Sequence, residues 1–259
     1  MSAVEVAYRC EGNGPPLYMV HGIGSRKEHW KQLIEVFKGS FTCVSYDLRG
    51  HGESPVPPTP YTLDQLVEDL EALREKLGHE QIHVIGHSLG GVIGPAYAHA
   101  HPERTLSLGL LSTAAGRTND DRAILFGVIE KMRTDGIPQT LETFVTRWYT
   151  DNFIAERPDV IETQLKRVTE TPDDVFLSVF EIYASSETAP WLPAITCPCL
   201  VLTAEFDGGS NPRLNRFIAE QLPDSELVIL PDLKHDILGE ASDQVAGPLG
   251  EFLHRVTSA

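Results

Sequence analysis

The sequence predicts an α/β fold: a central, mostly parallel sheet with helices on both faces and a helical stretch inserted into it. Three observations predict it. Short apolar runs bounded by Gly and Pro alternate with longer amphipathic stretches, the pattern of buried parallel strands joined through helices. One of those runs, residues 82–85, leads directly into Gly86-His87-Ser88-Leu89-Gly90-Gly91, a turn tight enough to feed a strand into a helix. Residues 117–190 then break the rhythm, with helical periodicity and no convincing strand.

Taken in order, the apolar runs predict strands over residues 4–8, 17–21, 42–47, 82–88, 106–112, 199–203 and 227–230. Helices are predicted between them over 28–37, 63–77, 90–99, 211–221 and 244–256. In 63–77 the apolar set Leu63, Leu66, Val67, Leu70, Leu73 and Leu77 recurs at three and four residues, so one face is buried. The 117–190 stretch repeats at helical spacing through Ile124, Val128 and Met132, and again through Val175, Val179 and Tyr183. A helical insertion between two strands of such a sheet reads as a cap. The expected organisation is therefore one core built from 1–116 and 191–259, with a cap at 117–190.

Composition narrows the partners. Asp and Glu number 37 against 21 Lys and Arg, a formal charge of −16 over 259 residues. Phosphate neutralisation needs a basic face, which argues against nucleic acid and anionic membrane surfaces. An anionic small molecule would need a local cation. The cysteines Cys10, Cys43, Cys197 and Cys199 include a C-P-C pair but no zinc-like spacing, and no stretch approaches 18 apolar residues. Glu5 stands where a secretory signal would be apolar. The expectation is a cytoplasmic protein with reduced thiols and no metal or cofactor.

The chemistry starts at Ser88. A tight strand-to-helix turn needs small neighbours, supplied by Gly86 and Gly90, and lifts the Ser88 hydroxyl clear of the sheet edge. It also aims free N–H groups of the new helix at whatever Ser88 attacks. A serine nucleophile needs a base, and the base an orienting acid. Of ten histidines, His235 alone follows the last strand on a loop at the carboxyl edge of the sheet. The other nine read mostly as helix-end or turn residues, solvated or capping. Asp207 closes the run from Cys199 and supplies the acid in the order Ser88, Asp207, His235, with Glu205 and Asp236 as alternatives. An oxyanion needs two N–H donors. Leu89 supplies one, and Ile23, between two glycines in His21-Gly22-Ile23-Gly24, supplies the other.

Together these residues resemble the α/β-hydrolase family over nearly the whole chain. Asp47-Leu-Arg-Gly-His-Gly-Glu-Ser54 matches that family's D-x-R-G-x-G-x-S loop, which implies a bracing role for Arg49 and its glycines. Pro57-Pro-Thr-Pro-Tyr-Thr-Leu63 and Thr146-Arg-Trp-Tyr-Thr-Asp151 resemble bacterial 3-oxoadipate enol-lactonases. The resemblance implies that Arg147 and Trp148 hold a substrate carboxylate over the serine. An Arg fork suits a carboxylate on physical grounds too. The chain departs from the enol-lactonases at His21-Gly22, a pair they often lack, and from the family at Lys234, where Gly usually precedes the base. The reading is a cofactor-free serine hydrolase of a carboxylic ester or (enol-)lactone. A C–C bond hydrolase of a ring-cleavage product, a perhydrolase and a non-catalytic receptor on the same fold remain alternatives. Epoxide hydrolases and dehalogenases need a carboxylate at position 88.

Overall fold

The structure is a computed structural model, and it describes residues 2–258. Met1 and Ala259, the outermost residues of the expected core segments, lie outside the described residues. The strands are β1 (Tyr8–Glu11), β2 (Pro16–Val20), β3 (Thr42–Tyr46), β4 (Ile82–His87), β5 (Thr105–Leu111), β6 (Cys199–Ala204) and β7 (Ser225–Leu230). They form one sheet in the order β1-β3-β2-β4-β5-β6-β7. Only the β1–β3 pairing is antiparallel. The chain order reverses direction across the sheet beside β2 and β4, which is where an open α/β sheet leaves a crevice at its carboxyl edge.

Period-two alternation decides which side chain faces which helix layer. On β2, Tyr18 and Val20 point into the core that also holds Leu66, Leu70 and Leu73 of α2 (Leu63–Leu77) and Val92 and Ile93 of α3 (Gly90–Ala100). Leu17 and Met19 point the other way, into a core shared with α1 (Lys31–Phe37) and the closing helix Ser242–Ser258. Both faces of the sheet are thus covered, which explains why β4 and β6 are buried at every position and mostly apolar. Helix α2 occupies the predicted span, opened by a Thr62–Gln65 capping box and closed by Gly78 in the left-handed conformation.

Six helices lie between β5 and β6: α4 (Asn119–Asp135), α5 (Ile137–Glu142), α6 (Val145–Trp148), α7 (Asp151–Glu156), α8 (Pro158–Thr169) and α9 (Asp173–Ser185). They have an apolar core of their own, including Ile129, Met132, Leu141, Phe176 and Phe180. After β6 come α10 (Pro212–Gln221), then β7, α11 (Ile237–Glu240) and α12 (Ser242–Ser258). Among the described residues no helix is long and apolar enough to cross a membrane.

The first strand lies later than the sequence predicts, at Tyr8–Glu11 rather than 4–8. Strand identity at an edge is set by what the backbone can pair with, and β3 pairs with Tyr8–Glu11. The Val4 N–H donates instead to Asp69 on α2, and Val6 is buried beside that helix. The predicted helix 28–37 begins as a single 3-10 turn, Lys27–Trp30, before α1.

Candidate active site

The turn after β4 places Ser88 at φ +55°, a left-handed conformation that an L side chain adopts at a cost of about 1–3 kcal/mol. Neighbours hold it there. Ser88 N–H donates to the Leu111 carbonyl at 2.9 Å, and the Ser88 carbonyl accepts from Thr113 Oγ1 and Gly91 N at 3.0 Å each. The flanking glycines answer to close backbone approach. A Cβ on Gly86 would collide with the Gly90 carbonyl, and one on Gly90 with the Val20 carbonyl of β2. Strand β4 and helix α3 can meet at this angle only without side chains between them.

Two loops at the carboxyl edge converge on Ser88. His235, beyond β7, has Nε2 at 3.2 Å from Ser88 Oγ. Its Nδ1 lies 2.8 Å from Asp207 Oδ2, and Asp207 follows β6. The other Asp207 oxygen accepts the N–H groups of Gly209 (2.9 Å) and Ser210 (2.8 Å). The network assigns the tautomer: Nδ1–H donates to Asp207, leaving Nε2 to accept from the Ser88 hydroxyl. Burial opposes charge on the His235 ring, but the Asp207 carboxylate outweighs it and holds the pKa above the ordinary histidine value. Burial likewise works against the ionised Asp207, and His235 with the two N–H donors keeps its pKa low.

The alternative acids are elsewhere. Glu205 is exposed, its Oε2 accepting from Asp232 N at 3.2 Å. Asp236 turns away from its neighbour's ring toward His29 Nε2 at 2.9 Å, the Tyr149 hydroxyl and Gly239 N. Burial would raise the Asp236 pKa, but His29 and Tyr149 hold it well below the usual carboxylate range.

The loop after β2 lies over the serine: a Cβ on Gly22 would stand 3.0 Å from the Ser88 Cβ. The N–H groups of Ile23 and Leu89 donate to no protein acceptor among the described residues, and Ile23 and Ser88 both line the same cavity. This loop is fastened to the D-x-R-G-x-G-x-S segment. Leu48 N donates to His21 Nε2 at 2.9 Å, whose Nδ1 donates to the Gly22 carbonyl at 2.7 Å. Gly24 N donates to His51 Nε2 at 3.2 Å, and the Asp47 carboxylate receives both Lys27 N and Lys27 Nζ. Arg49 reaches the other way, bidentate to Asp69 on α2 at 2.6 and 2.7 Å. Burial pushes His21 down to about 3 and His51 to about 4, so both rings stay neutral and can accept at Nε2.

These placements correct the expectation that histidines other than His235 sit solvated at helix ends and turns. His21, His51, His83 and His87 are buried, and each is hydrogen-bonded to protein. A neutral imidazole carries one donor and one acceptor, which suits it to tie two buried backbone segments together.

A cavity of about 480 Å³ opens between the sheet edge and the inserted helices, within the range of small-molecule sites. Ser88 and His235 lie in its wall, as do Arg147 and Trp148 of α6. Arg147 is exposed, its guanidinium 5.2 Å from the Phe144 ring centroid, and Trp148 is half-buried. The segment carrying them is tied to the His235 loop. Lys234 Nζ donates to the Thr146 carbonyl (2.8 Å), Asp236 N to the Trp148 carbonyl (3.0 Å) and Thr150 N to Glu240 (3.1 Å). Lys234, a departure from the family pattern, thus makes one of these ties. The sequence reading missed the Tyr149–Asp236–His29 contact and the buried Arg117 in the cavity wall. The arginines are scattered singly through the insertion, with no local sign of which one is buried. No cluster of three or more potential metal ligands occurs among the described residues.

A family profile described as alpha/beta hydrolase fold matches residues 15–242. The chain is 30% identical over 224 residues to 3-oxoadipate enol-lactonase 2 of Acinetobacter baylyi, covering 85% of this chain and 82% of that protein. Among solved structures, a thermophilic esterase from Thermogutta terrifontis, with malate bound, superposes with a TM-score of 0.89 at 29% identity, covering 98% of this chain and 94% of that one. The enol-lactonase from Burkholderia xenovorans LB400 superposes with a TM-score of 0.90 at 27% identity, covering 97% of each chain.

Proposed function

The chain belongs to the α/β-hydrolase fold family, and on that premise we propose that it is a cofactor-independent serine hydrolase of a small carboxylic ester or lactone. The observation that carries this reading is the hydrogen-bond path Ser88 Oγ–His235–Asp207, set in the wall of a cavity of substrate size. His235 Nε2 takes the Ser88 proton as Oγ attacks the carbonyl carbon. The tetrahedral oxyanion is received by the N–H groups of Ile23 and Leu89, and Asp207 stabilises the imidazolium that forms. Collapse breaks the acyl–oxygen bond, and His235 returns the proton to the departing alkoxide or enolate. Water then attacks the acyl-Ser88 ester with His235 as base, releasing the acid and restoring the serine.

On this reading the core comprises 1–116 and 191–259, and 117–190 is a cap whose Trp148 and Arg147 help line the cavity. Kinship with an enol-lactonase and with an esterase that binds malate favours small, acid-bearing substrates. The test is Ser88→Ala against the wild type on short p-nitrophenyl esters and small lactones. Turnover should fall at least ~10³-fold, the scale for losing a nucleophile that works as part of a unit. A variant that retains wild-type turnover would overturn the assignment.

A further inference from the structure

We propose that Arg117 is the anion-binding group of this cavity, receiving a carboxylate carried by the substrate whose ester carbonyl lies at Ser88. The proposal rests on the serine-hydrolase reading for the second half of that statement only.

Four cations are buried among the described residues: Lys27, Arg49, Arg74 and Arg117. Three have a carboxylate at 2.6 Å: Lys27 has Asp47, Arg49 has Asp69, and Arg74 has Glu71. Arg117 is only 7% exposed, and its guanidinium has no carboxylate within 4 Å among the described residues. Its guanidinium lies over the Tyr183 ring at 4.2 Å, and Nη1 donates to the Tyr183 carbonyl at 2.8 Å. Nε and Nη2 have no protein acceptor among the described residues. A buried charge left without a counter-ion is strongly disfavoured in a folded protein unless something else balances it. Arg117 is also one of the residues that line the cavity holding Ser88.

The nearby acids are committed elsewhere. Glu187 accepts from Gly116 N at 3.0 Å and Arg117 N at 3.3 Å, and pairs with Arg122 at 2.8 Å, so it fixes the Arg117 backbone and leaves the side chain alone. Asp121, also in the cavity wall, is held by Arg213 at 2.6 Å and by Thr118. One fixed guanidinium balances one unit of negative charge. In a chain of net charge −16, a carboxylate meets that condition, whereas a phosphate dianion would leave excess charge buried. Arg147, which also lines the cavity, differs in kind: it is exposed and attracts an approaching anion through solvent, where salt screens it.

The experiment compares p-nitrophenyl butyrate with the half-ester mono-p-nitrophenyl glutarate in the wild type and in Arg117→Met, Arg117→Lys and Arg147→Ala. The quantity read is the ratio of kcat/KM for the acid-bearing ester to that for the neutral one. Arg117→Met should lower this ratio about 10- to 100-fold, the scale of a charge-assisted hydrogen-bonded pair, with Arg117→Lys in between. That loss should persist at about 0.5 M salt, whereas any loss in Arg147→Ala should vanish there. Glutarate should also raise the melting temperature of the wild type and leave that of Arg117→Met unmoved. An unchanged ratio in Arg117→Met, or a salt-resistant loss in Arg147→Ala instead, overturns the proposal. Should Arg117→Met fail to fold, an unchanged ratio in Arg117→Lys overturns it equally. If no ester is hydrolysed even by the wild type, the serine-hydrolase reading fails, and the glutarate shift alone decides for or against the Arg117 site.

Discussion

Replacing Asp207 by Asn tests the orientation of the base with almost no change in shape. Three N–H groups converge on the Asp207 carboxylate: His235 Nδ1 at 2.8 Å on one oxygen, and Gly209 and Ser210 at 2.9 and 2.8 Å on the other. An amide has only one acceptor oxygen. The two backbone donors cannot turn away, so that oxygen must face them and the NH₂ must face His235. The ring is then driven into the tautomer with Nδ1 accepting and Nε2 protonated. Nε2 lies 3.2 Å from Ser88 Oγ and can no longer take its proton. The loss should be ~10⁴ in kcat, about 5 kcal/mol of transition-state stabilisation. The pH profile carries a second signature. In the wild type, the base must be neutral to act, so kcat/KM rises with pH through the pKa of His235, which Asp207 holds above about 6.5. Without the Asp207 carboxylate, burial of the ring is opposed only by the Asp236 charge, and the limb of the residual activity should move down. Initial rates of p-nitrophenyl butyrate hydrolysis between about pH 5 and about pH 9 read both effects. A loss smaller than tenfold, or a limb that moves up, would refute this account of the Asp207–His235 pair.

Two further outcomes concern the scaffold beneath the site. Gly90→Ala drives a methyl group into the Val20 carbonyl, so β2 and α3 must separate; stability should fall by about 1–3 kcal/mol and turnover by ~10², as read by urea midpoint and ester assay. An alanine variant as stable and as active as the wild type would mean that the elbow tolerates a side chain there. Asp69→Ala strands the buried Arg49 and should cost about 3–5 kcal/mol in chemical denaturation, and a loss under about 1 kcal/mol would show that Arg49 finds another partner.

The elements that read most clearly in the sequence are those decided by near neighbours. Helix α2 has its capping box, its apolar stripe and its terminal glycine within seventeen consecutive residues, Thr62 to Gly78, and the predicted and observed spans coincide. The first strand was less legible. Residues 4–8 have strand-like alternation, yet Tyr8–Glu11 form the strand because β3 offers its free edge there. Histidines misread as solvated are buried because two segments distant in sequence needed a donor and an acceptor between them, as His51 supplies between Gly24 and Arg49.

The site divides along the same line. A strand turning sharply into a helix must have glycines around its apex, so Ser88 and its setting are written into six adjacent residues, and chain order restricts the candidate acid and base to the loops after β6 and β7. Negative net charge is a sum over the sequence, and with it comes the need for a local cation near any anionic substrate. Which of many arginines meets that need is not a local property. Arg147 stands beside a tryptophan in a recognisable segment, and the fold places it, exposed, in the cavity wall. Arg117 has no distinguishing neighbours in sequence. The fold buries it against Tyr183, sixty-six residues away, and turns the nearest acids to other partners. Burial and pairing depend on how distant segments pack, and they convert an ordinary surface residue type into a charge that needs a partner.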